Sequence, residues 1–287
     1  MNTARASATL SEQRSFELTD IEFEQLRDAI KLHTGITLGD NKRQMVYRRL
    51  SDRLRERNLR SFSEYLSILK RGDTLELEAF RNSVTTNLTS FFREQHHFDT
   101  LRDTLLPNMY RRSGSERRIR IWSAGCSTGE ESYSLAFTVA DFLSGKLSCD
   151  AKILCTDIDT DVLATAERGV YPIARIDSLN DEQRARWFQK RETKNGMLVR
   201  ARDHYRDLLS FRQLNLLSEW PFKQKFDVIF CRNTIIYFDR PTQQRIVNRF
   251  ADALDRGGHL ILGHSESLHE LTDRFELIGN TVYHKVR

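Results

Sequence analysis

Ile119-Arg-Ile-Trp-Ser-Ala-Gly-Cys-Ser-Thr-Gly-Glu-Glu-Ser-Tyr-Ser134, continued to Leu143, decides the fold of this 287-residue chain. Ile119, Ile121 and Trp122 make a short apolar run of strand-forming types. Gly125 and Gly129 then punctuate a tight turn. Beyond Glu131, apolar Leu135, Ala136, Val139, Ala140 and Leu143 recur at helical spacing. Strand, glycine loop and helix in this order let a ligand lie against bare backbone at a helix N-terminus.

A dinucleotide, whose loop reads G-x-G-x-x-G, is disfavoured. Only Gly125 and Gly129 are present, in G-x-x-x-G spacing, and Glu130 and Glu131 stand where a pyrophosphate would meet negative charge. A cationic ligand fits better, and S-adenosylmethionine carries both an ammonium and a sulfonium. The next strand, Lys152-Ile-Leu-Cys-Thr156, ends in Asp157-Ile-Asp159. An acid at the tip of a second parallel strand can accept hydrogen bonds from a ribose diol. The plainer alternative is a βαβ unit with a polar rim.

Composition narrows the class. Hydrophobic residues at 39% supply an ample core and charged residues at 30% a polar surface. No stretch approaches the roughly 18 apolar residues of a membrane span, and Met1 to Gln13 has no apolar h-region, so no secretory signal is expected. The four cysteines (Cys126, Cys149, Cys155, Cys231) include no C-x-x-C pair or zinc spacing. Free thiols, a cytoplasmic location and no metal are the expectation. The net charge of +5 is concentrated: between Lys42 and Arg60, eight basic residues face two acidic ones.

Along the chain, residues 1–15 read as a flexible tail and 16–90 as a helical domain. Thr19-Asp20 offers an N-cap before Phe23, Leu26 and Ile30, and Gly35 breaks that helix. The basic helix runs from about Asn41 to Arg57, with Val46, Leu50 and Leu54 on one face. Lys42, Arg49 and Arg53 form a stripe on a neighbouring face. Ser61 to Lys70 and Leu75 to Thr86 are further helices. Thr85-Thr-Asn-Leu-Thr-Ser-Phe-Phe-Arg-Glu94 packs hydroxyls, an amide, two aromatics and Arg93 ahead of a helix from Gln95 to Tyr110. By itself it reads equally as an N-cap or as a site.

Residues 91–287 alternate strands and helices. Asp161 to Arg168 is helical and Gly169-Val-Tyr-Pro172 ends it. Asn195-Gly196 is a hairpin signal, so a small antiparallel β subdomain is placed at about 190–210. Ser210 to Leu216, Phe226 to Cys231 and His259 to Gly263 resume the sheet, Thr242 to Leu254 is an amphipathic helix, and a hairpin around Gly279-Asn280 closes the chain. The class is α/β, with a doubly wound, mostly parallel sheet.

These residues resemble the bacterial chemotaxis receptor methyltransferases, the CheR family, from about Phe16 to Val286. The resemblance rests on Thr85 to Glu94, Trp122-Ser-Ala-Gly-Cys-Ser-Thr-Gly-Glu-Glu131, Thr156-Asp-Ile-Asp159, Phe230-Cys-Arg-Asn233, Ile236-Tyr-Phe238 and Gly263-His-Ser-Glu266, in this order. One departure is Ser132, where the family usually has proline. The resemblance implies a seven-stranded, Rossmann-like methyltransferase sheet, an N-terminal helical domain and an inserted β subdomain. It also implies methyl transfer from S-adenosylmethionine to glutamate side chains of membrane chemoreceptors.

Carried over by motif, Asn87, Thr89 and Arg93 would contact the cofactor from the linker, beside Gly125 of the glycine loop. Glu131, with Glu130 as its neighbour, would hold the amino-acid end, Asp157 the ribose, and Asn215-Leu216 the adenine region. Arg232-Asn233 would line the strand end. A glutamate acceptor is already ionised at pH 7, so Arg93 and Tyr237 are expected to orient it rather than deprotonate it. Tyr237 as plain core is the competing reading.

The stripe Lys42, Arg49 and Arg53 would face the receptor, whose cytoplasmic domain is an acidic coiled coil. Some family members also dock a receptor's C-terminal tail peptide on the β subdomain. Recruitment to membrane receptor arrays, a monomer and no nucleic acid are expected. A nucleic-acid methyltransferase using the basic helix and a cofactor-binding sensor without catalysis are the alternatives. His96 and His97, whose side chains diverge by about 100° on a helix, read as structural, and Cys126 and Cys231 lack an activating base.

Overall fold

The structure, a computed structural model, describes residues 15–112, 117–194 and 196–287. The expected tail up to Arg14, and Asn195 of the expected hairpin turn, lie outside these residues.

The helical start of the chain follows from its caps. In α1 (Asp20–Thr34) the Thr19 hydroxyl accepts from Glu22 N at 3.2 Å while Glu22 Oε2 accepts from Thr19 N at 2.9 Å. Gly35, at φ 78°, ends the helix in the left-handed region. The basic segment divides into a 3-10 turn (Asp40–Lys42) and α2 (Arg43–Glu56). Ser61 caps α3 (Phe62–Lys70) and Asp73 caps α4 (Thr74–Val84). Leu26 and Ile30 of α1 and Val46, Leu50 and Leu54 of α2 close on Phe62, Tyr65 and Phe80 to form a core of their own.

Residues 85–95 lead into one continuous helix: α5 (His96–Thr100), a π turn (Leu101–Leu105) and α6 (Leu106–Arg112). Among the described residues ten strands follow: β1 (Arg118–Ala124), β2 (Asp150–Asp157), β3 (Val170–Pro172), β4 (Phe188–Thr193), β5 (Gly196–Ala201), β6 (Leu209–Gln213), β7 (Phe226–Cys231), β8 (Leu254–Leu262), β9 (Phe275–Gly279) and β10 (Val282–Lys285). Seven form one sheet in the order β6-β2-β1-β7-β8-β10-β9, parallel except for β10, which runs antiparallel to both neighbours. This is the mostly parallel seven-stranded sheet that the resemblance implies.

Both faces of the sheet are covered, which explains why every residue of β7 and the last four of β1 are buried. One face packs Ile121, Phe230 and Ile261 against α7 (Glu130–Leu143) and the α5–α6 helix. The other packs Trp122, Ile229 and Leu260 against Val247 and Phe250 of α11 (Arg240–Ala253). Trp122 is fully buried, donates to Thr156 Oγ1 at 2.8 Å and meets the rings of Trp220, Phe222, Phe226 and Phe250. The chain order along the sheet reverses between β1 and β7, so their C-terminal ends open the crevice where such folds bind ligands.

The second sheet, β3-β5-β4, is antiparallel and begins earlier than the subdomain range of 190–210. Gly169, in the left-handed region, stops α8 (Thr160–Arg168) and sends Val170–Pro172 directly into an edge strand. Three residues are too few to show a period of two, so that strand reads in sequence only as the end of a helix. After α9 (Asp181–Trp187), Trp187 stacks on Phe137 of α7 with centroids 4.7 Å apart. After Ala201 a short helix α10 (Asp203–Arg206) returns the chain to β6 in the main sheet.

Candidate functional site

The cleft lies over the C-terminal ends of β1, β2 and β7 and opens to solvent, with about 970 Å³ of space counting its open mouth. Its walls come from four parts of the chain. The linker gives Asn87, Thr89 and Arg93; the glycine loop gives Gly125, Ser127 and Glu131; the ends of β2 and β6 give Asp157, Asn215 and Leu216; the segment after β7 gives Arg232, Asn233 and Tyr237. The N-terminal domain adds Thr34 and Ile36.

The glycine loop is built to bring backbone close. Gly125 stands at φ +88°, and a Cβ there would lie 2.4 Å from Thr234 Oγ1. Gly129, at φ 96°, precedes α7 and supplies the helix start without the family's proline. Between them, Ser127 N donates to Asp157 Oδ2 at 2.8 Å, and Asp159 N donates to Asp157 Oδ1 at 3.1 Å. Burial pushes the Asp157 carboxyl up to about 6 against these two N–H groups. Asp159 turns away to cap α8 and accepts from Thr85 Oγ1 and Asn87 Nδ2, both at 2.7 Å. That bond fixes the linker above the cleft.

Glu130 and Glu131, adjacent in sequence, part company. Glu131 lines the cleft, accepts from Ser123 Oγ at 2.7 Å and pairs with Arg232 Nη1 at 3.1 Å. Burial raises its carboxyl and the Arg232 charge opposes that rise. Glu130 is fully buried against Thr128 Oγ1 at 2.6 Å and against Arg175, and it is not part of the cleft wall. Neighbouring helical residues point about 100° apart, so only one of the pair can face the ligand.

Arg232 is the buried hub of the far wall. It bridges Glu131 and Glu94 Oε2 (3.2 Å), donates to the Arg93 carbonyl and lies 5.5 Å over the Phe98 ring. Against burial, which would raise it, the hydrogen bond from His264 and the Arg232 charge hold the Glu94 carboxyl at about 2. His97 is buried and donates from Nε2 to Asn280 O at 2.8 Å; burial and the nearby Arg232 hold it down at about 4, so it is neutral. Glu94, His96 and His97 bring their ligating atoms within 4.8 Å of one another, with the fixed Arg232 charge set against any cation there. Burial pushes the Cys126 and Cys231 thiols well above their usual range, which removes them as nucleophiles.

Arg93 and Tyr237 face the cleft. Arg93 Nη1 donates to Leu88 O at 3.0 Å, and Tyr237 ends a 3-10 turn (Ile235–Tyr237) whose carbonyl accepts from Thr37 N at 2.8 Å. Tyr237 is half-exposed, not core. Two non-glycine residues at positive φ, Ser127 and Asn233, lie in the cleft wall, and two more, Phe92 and Glu94, flank Arg93 in the chain, backbone conformations that surrounding structure must hold.

The basic stripe departs from its expectation. Lys42 is exposed, but Arg49 Nη1 donates to Val84 O at 2.8 Å and Nη2 to Thr86 Oγ1 at 3.2 Å. Burial lowers the Arg49 guanidinium while the Tyr237 oxygen opposes the shift, and its partner Thr86 lines the cleft. Arg53 is bonded to the buried Glu76 at 2.7 and 3.2 Å and also to Glu56. Helical spacing gives the face of each residue but not the partner across it. Altering this helix therefore does touch the cleft, through Arg49 and Thr86.

Sequence reasoning missed Thr34, Ile36, Ser127 and Thr234 in the cleft wall. Ser127 and Thr234 adjoin residues singled out by motif. Thr34 and Ile36 flank a glycine that reads only as a helix stop, and no local signal marks a contact made by packing one domain on another.

Comparison with known proteins gives two family matches: the CheR methyltransferase all-alpha domain over residues 21–85 and the CheR methyltransferase SAM binding domain over residues 87–284. Chemotaxis protein methyltransferase 2 of Pseudomonas aeruginosa is 41% identical over 284 residues, covering 99% of each chain. The chemotaxis protein methyltransferase of Escherichia coli is 43% identical over 281 residues, covering 97% of this chain and 96% of its own. Among solved structures, the N-methyltransferase NodS of Bradyrhizobium japonicum with S-adenosylhomocysteine is 14% identical with a TM-score of 0.37, covering 66% of this chain and 88% of its own.

Proposed function

The chain belongs to the CheR methyltransferase family, an S-adenosylmethionine-binding domain behind an all-alpha domain, and from that premise we propose that it esterifies glutamate carboxylates of membrane chemoreceptors. The observation that carries this is one cleft in which acids suited to a cationic cofactor, Glu131 and Asp157, meet Arg93 and Tyr237 beside the basic helix.

The donor set fits the cofactor. Glu131 is an acceptor for its ammonium and Asp157 for its ribose hydroxyls, while Asn87, Thr89 and Asn215 supply neutral hydrogen bonds. Leu216, Ile36 and Phe238 offer apolar cover for the base. When bound, S-adenosylmethionine supplies an electrophilic methyl group on a sulfonium. The acceptor carboxylate needs no base, so the protein's task is placement and partial exclusion of water. Arg93, with N–H groups beyond the one given to Leu88, pairs with the acceptor, and the Tyr237 hydroxyl donates to it. Arg49 extends the positive rim toward α2, where exposed Lys42 and Arg48 continue it. An acidic coiled coil is the surface that such a rim attracts. The exposed edge strand β4 of the small sheet is the candidate dock for a receptor tail peptide.

Incubation with methyl-labelled cofactor, receptor-containing membranes and, in parallel, RNA tests the reading. Label should enter the receptor and not the RNA. Transfer to RNA would replace this reading with the nucleic-acid one, and cofactor binding without transfer to either would make the chain a sensor.

A further inference from the structure

The Gly263-His264-Ser265-Glu266 loop after β8 has no task in the chemistry above. Glu266 is buried, and its carboxylate accepts five backbone N–H groups: Oε2 from Gly263 at 2.7 Å and Asn233 at 2.8 Å, Oε1 from Thr234 and Ile235 at 2.9 Å and Ile236 at 3.3 Å. Four of these belong to consecutive residues, Asn233 to Ile236, leading straight to Tyr237. Asn233 is held at φ +54°, a region few non-glycine residues occupy. Five converging N–H dipoles suit a full negative charge, and a neutral amide could not accept them all.

The same loop grips the opposite wall. His264 donates to Glu94 from N at 3.2 Å and from Nδ1 at 2.7 Å, and Glu94 pairs with Arg232. Gly263 itself is pressed against Asn233: a Cβ there would lie 2.5 Å from Asn233 Nδ2 and 2.9 Å from its backbone N. The loop thus sets the separation between the segment carrying Tyr237 and the segment carrying Arg93.

We propose that Glu266 is a positioning residue for methyl transfer, fixing the Asn233–Ile236 backbone so that Tyr237 meets the acceptor carboxylate. This rests on the role given to Tyr237 above. In sequence Gly263-His-Ser-Glu266 is only one of the motifs of the resemblance; its partners at Asn233 to Ile236, 30 to 33 residues earlier, are set by the fold.

The test is Glu266→Gln in the full chain, measured three ways. Turnover on receptor membranes should fall about 10- to 100-fold, the scale of a small misplacement at the reacting centre, while S-adenosylhomocysteine affinity changes less than about threefold. In a Tyr237→Phe background the same change should cost less than about threefold, because its effect runs through the hydroxyl already removed. Amide hydrogen exchange at residues 233–236 should accelerate. Gly263→Ala, which displaces Asn233 and leaves the carboxylate intact, should repeat the turnover and background pattern if the glutamine variant does not fold. Wild-type turnover in a folded Glu266→Gln protein, or an equal loss in both backgrounds, overturns the proposal. If the wild type itself methylates no receptor, the functional reading fails instead. The exchange measurement then still decides the anchor: unchanged protection at 233–236 overturns it.

Discussion

Asp157, the ribose acceptor proposed above, orders the glycine loop through Ser127 N at the tip of β2 and lines the cleft. Its carboxyl, raised to about 6 by burial, makes the sign of a pH effect explicit. The folded state binds its proton more tightly than the unfolded chain, so this group's contribution to stability falls as pH rises from about 4 to 6. Ligand binding runs the other way, because ribose hydroxyls donate to the ionised form. S-adenosylhomocysteine affinity should therefore weaken as pH drops below about 6, by up to tenfold per unit. Asp157→Asn should bind more weakly and lose that dependence; calorimetry across pH checks both. For Tyr237→Phe, loss of one charge-assisted hydrogen bond in the reacting complex predicts roughly 10- to 100-fold lower kcat with cofactor affinity nearly unchanged. Single-turnover kinetics separates the two, and equal turnover would return Tyr237 to a packing role.

The element that sequence describes least well is α2. Its apolar face was legible, since Val46, Leu50 and Leu54 recur at helical spacing and are all fully buried. Its charged face was not, because Glu76, which captures Arg53, lies on another helix and in the core at 1% exposure. Arg53→Ala should destabilise the protein by about 2–3 kcal/mol in urea titration. The range for orphaning a buried carboxylate is moderated here by Tyr65 Oη at 2.9 Å and Arg57 Nε at 3.3 Å from it. Charge reversal at Arg49 and Arg53 is thus no test of a receptor surface. Lys42→Glu with Arg48→Glu is, since both side chains are exposed. That pair should leave stability and S-adenosylhomocysteine affinity within error and slow receptor methylation, with a weaker response to added salt than the wild type. The linker gives the converse lesson. Its unusual composition was legible, but its geometry depends on Asp159, 72 residues from Asn87 in sequence.

At the scale of the molecule, two units with separate cores share one site. Asn82 and Thr160 exchange hydrogen bonds at 2.9 and 3.2 Å, Lys31 pairs with Asp239 at 2.8 Å, and Thr37 N reaches the carbonyl of Tyr237 at 2.8 Å. The α/β class and a ligand loop at the tip of β1 followed from strand–loop–helix alternation, and the seven strands and most of the cleft residues from the resemblance. The interdomain wall did not, because local periodicity says nothing about how one unit sits on the other. This joint brings a basic helix 14 residues long to the rim of a cleft built on a sheet whose first strand begins only at Arg118. If the shared site esterifies receptor glutamates as proposed, the chemistry of the product shows it most directly. Methyl-labelled cofactor, enzyme and purified receptor cytoplasmic domain should yield label on glutamate-containing peptides, released as methanol by mild alkali. Label that resists alkali, or that maps to residues other than glutamate, would contradict it.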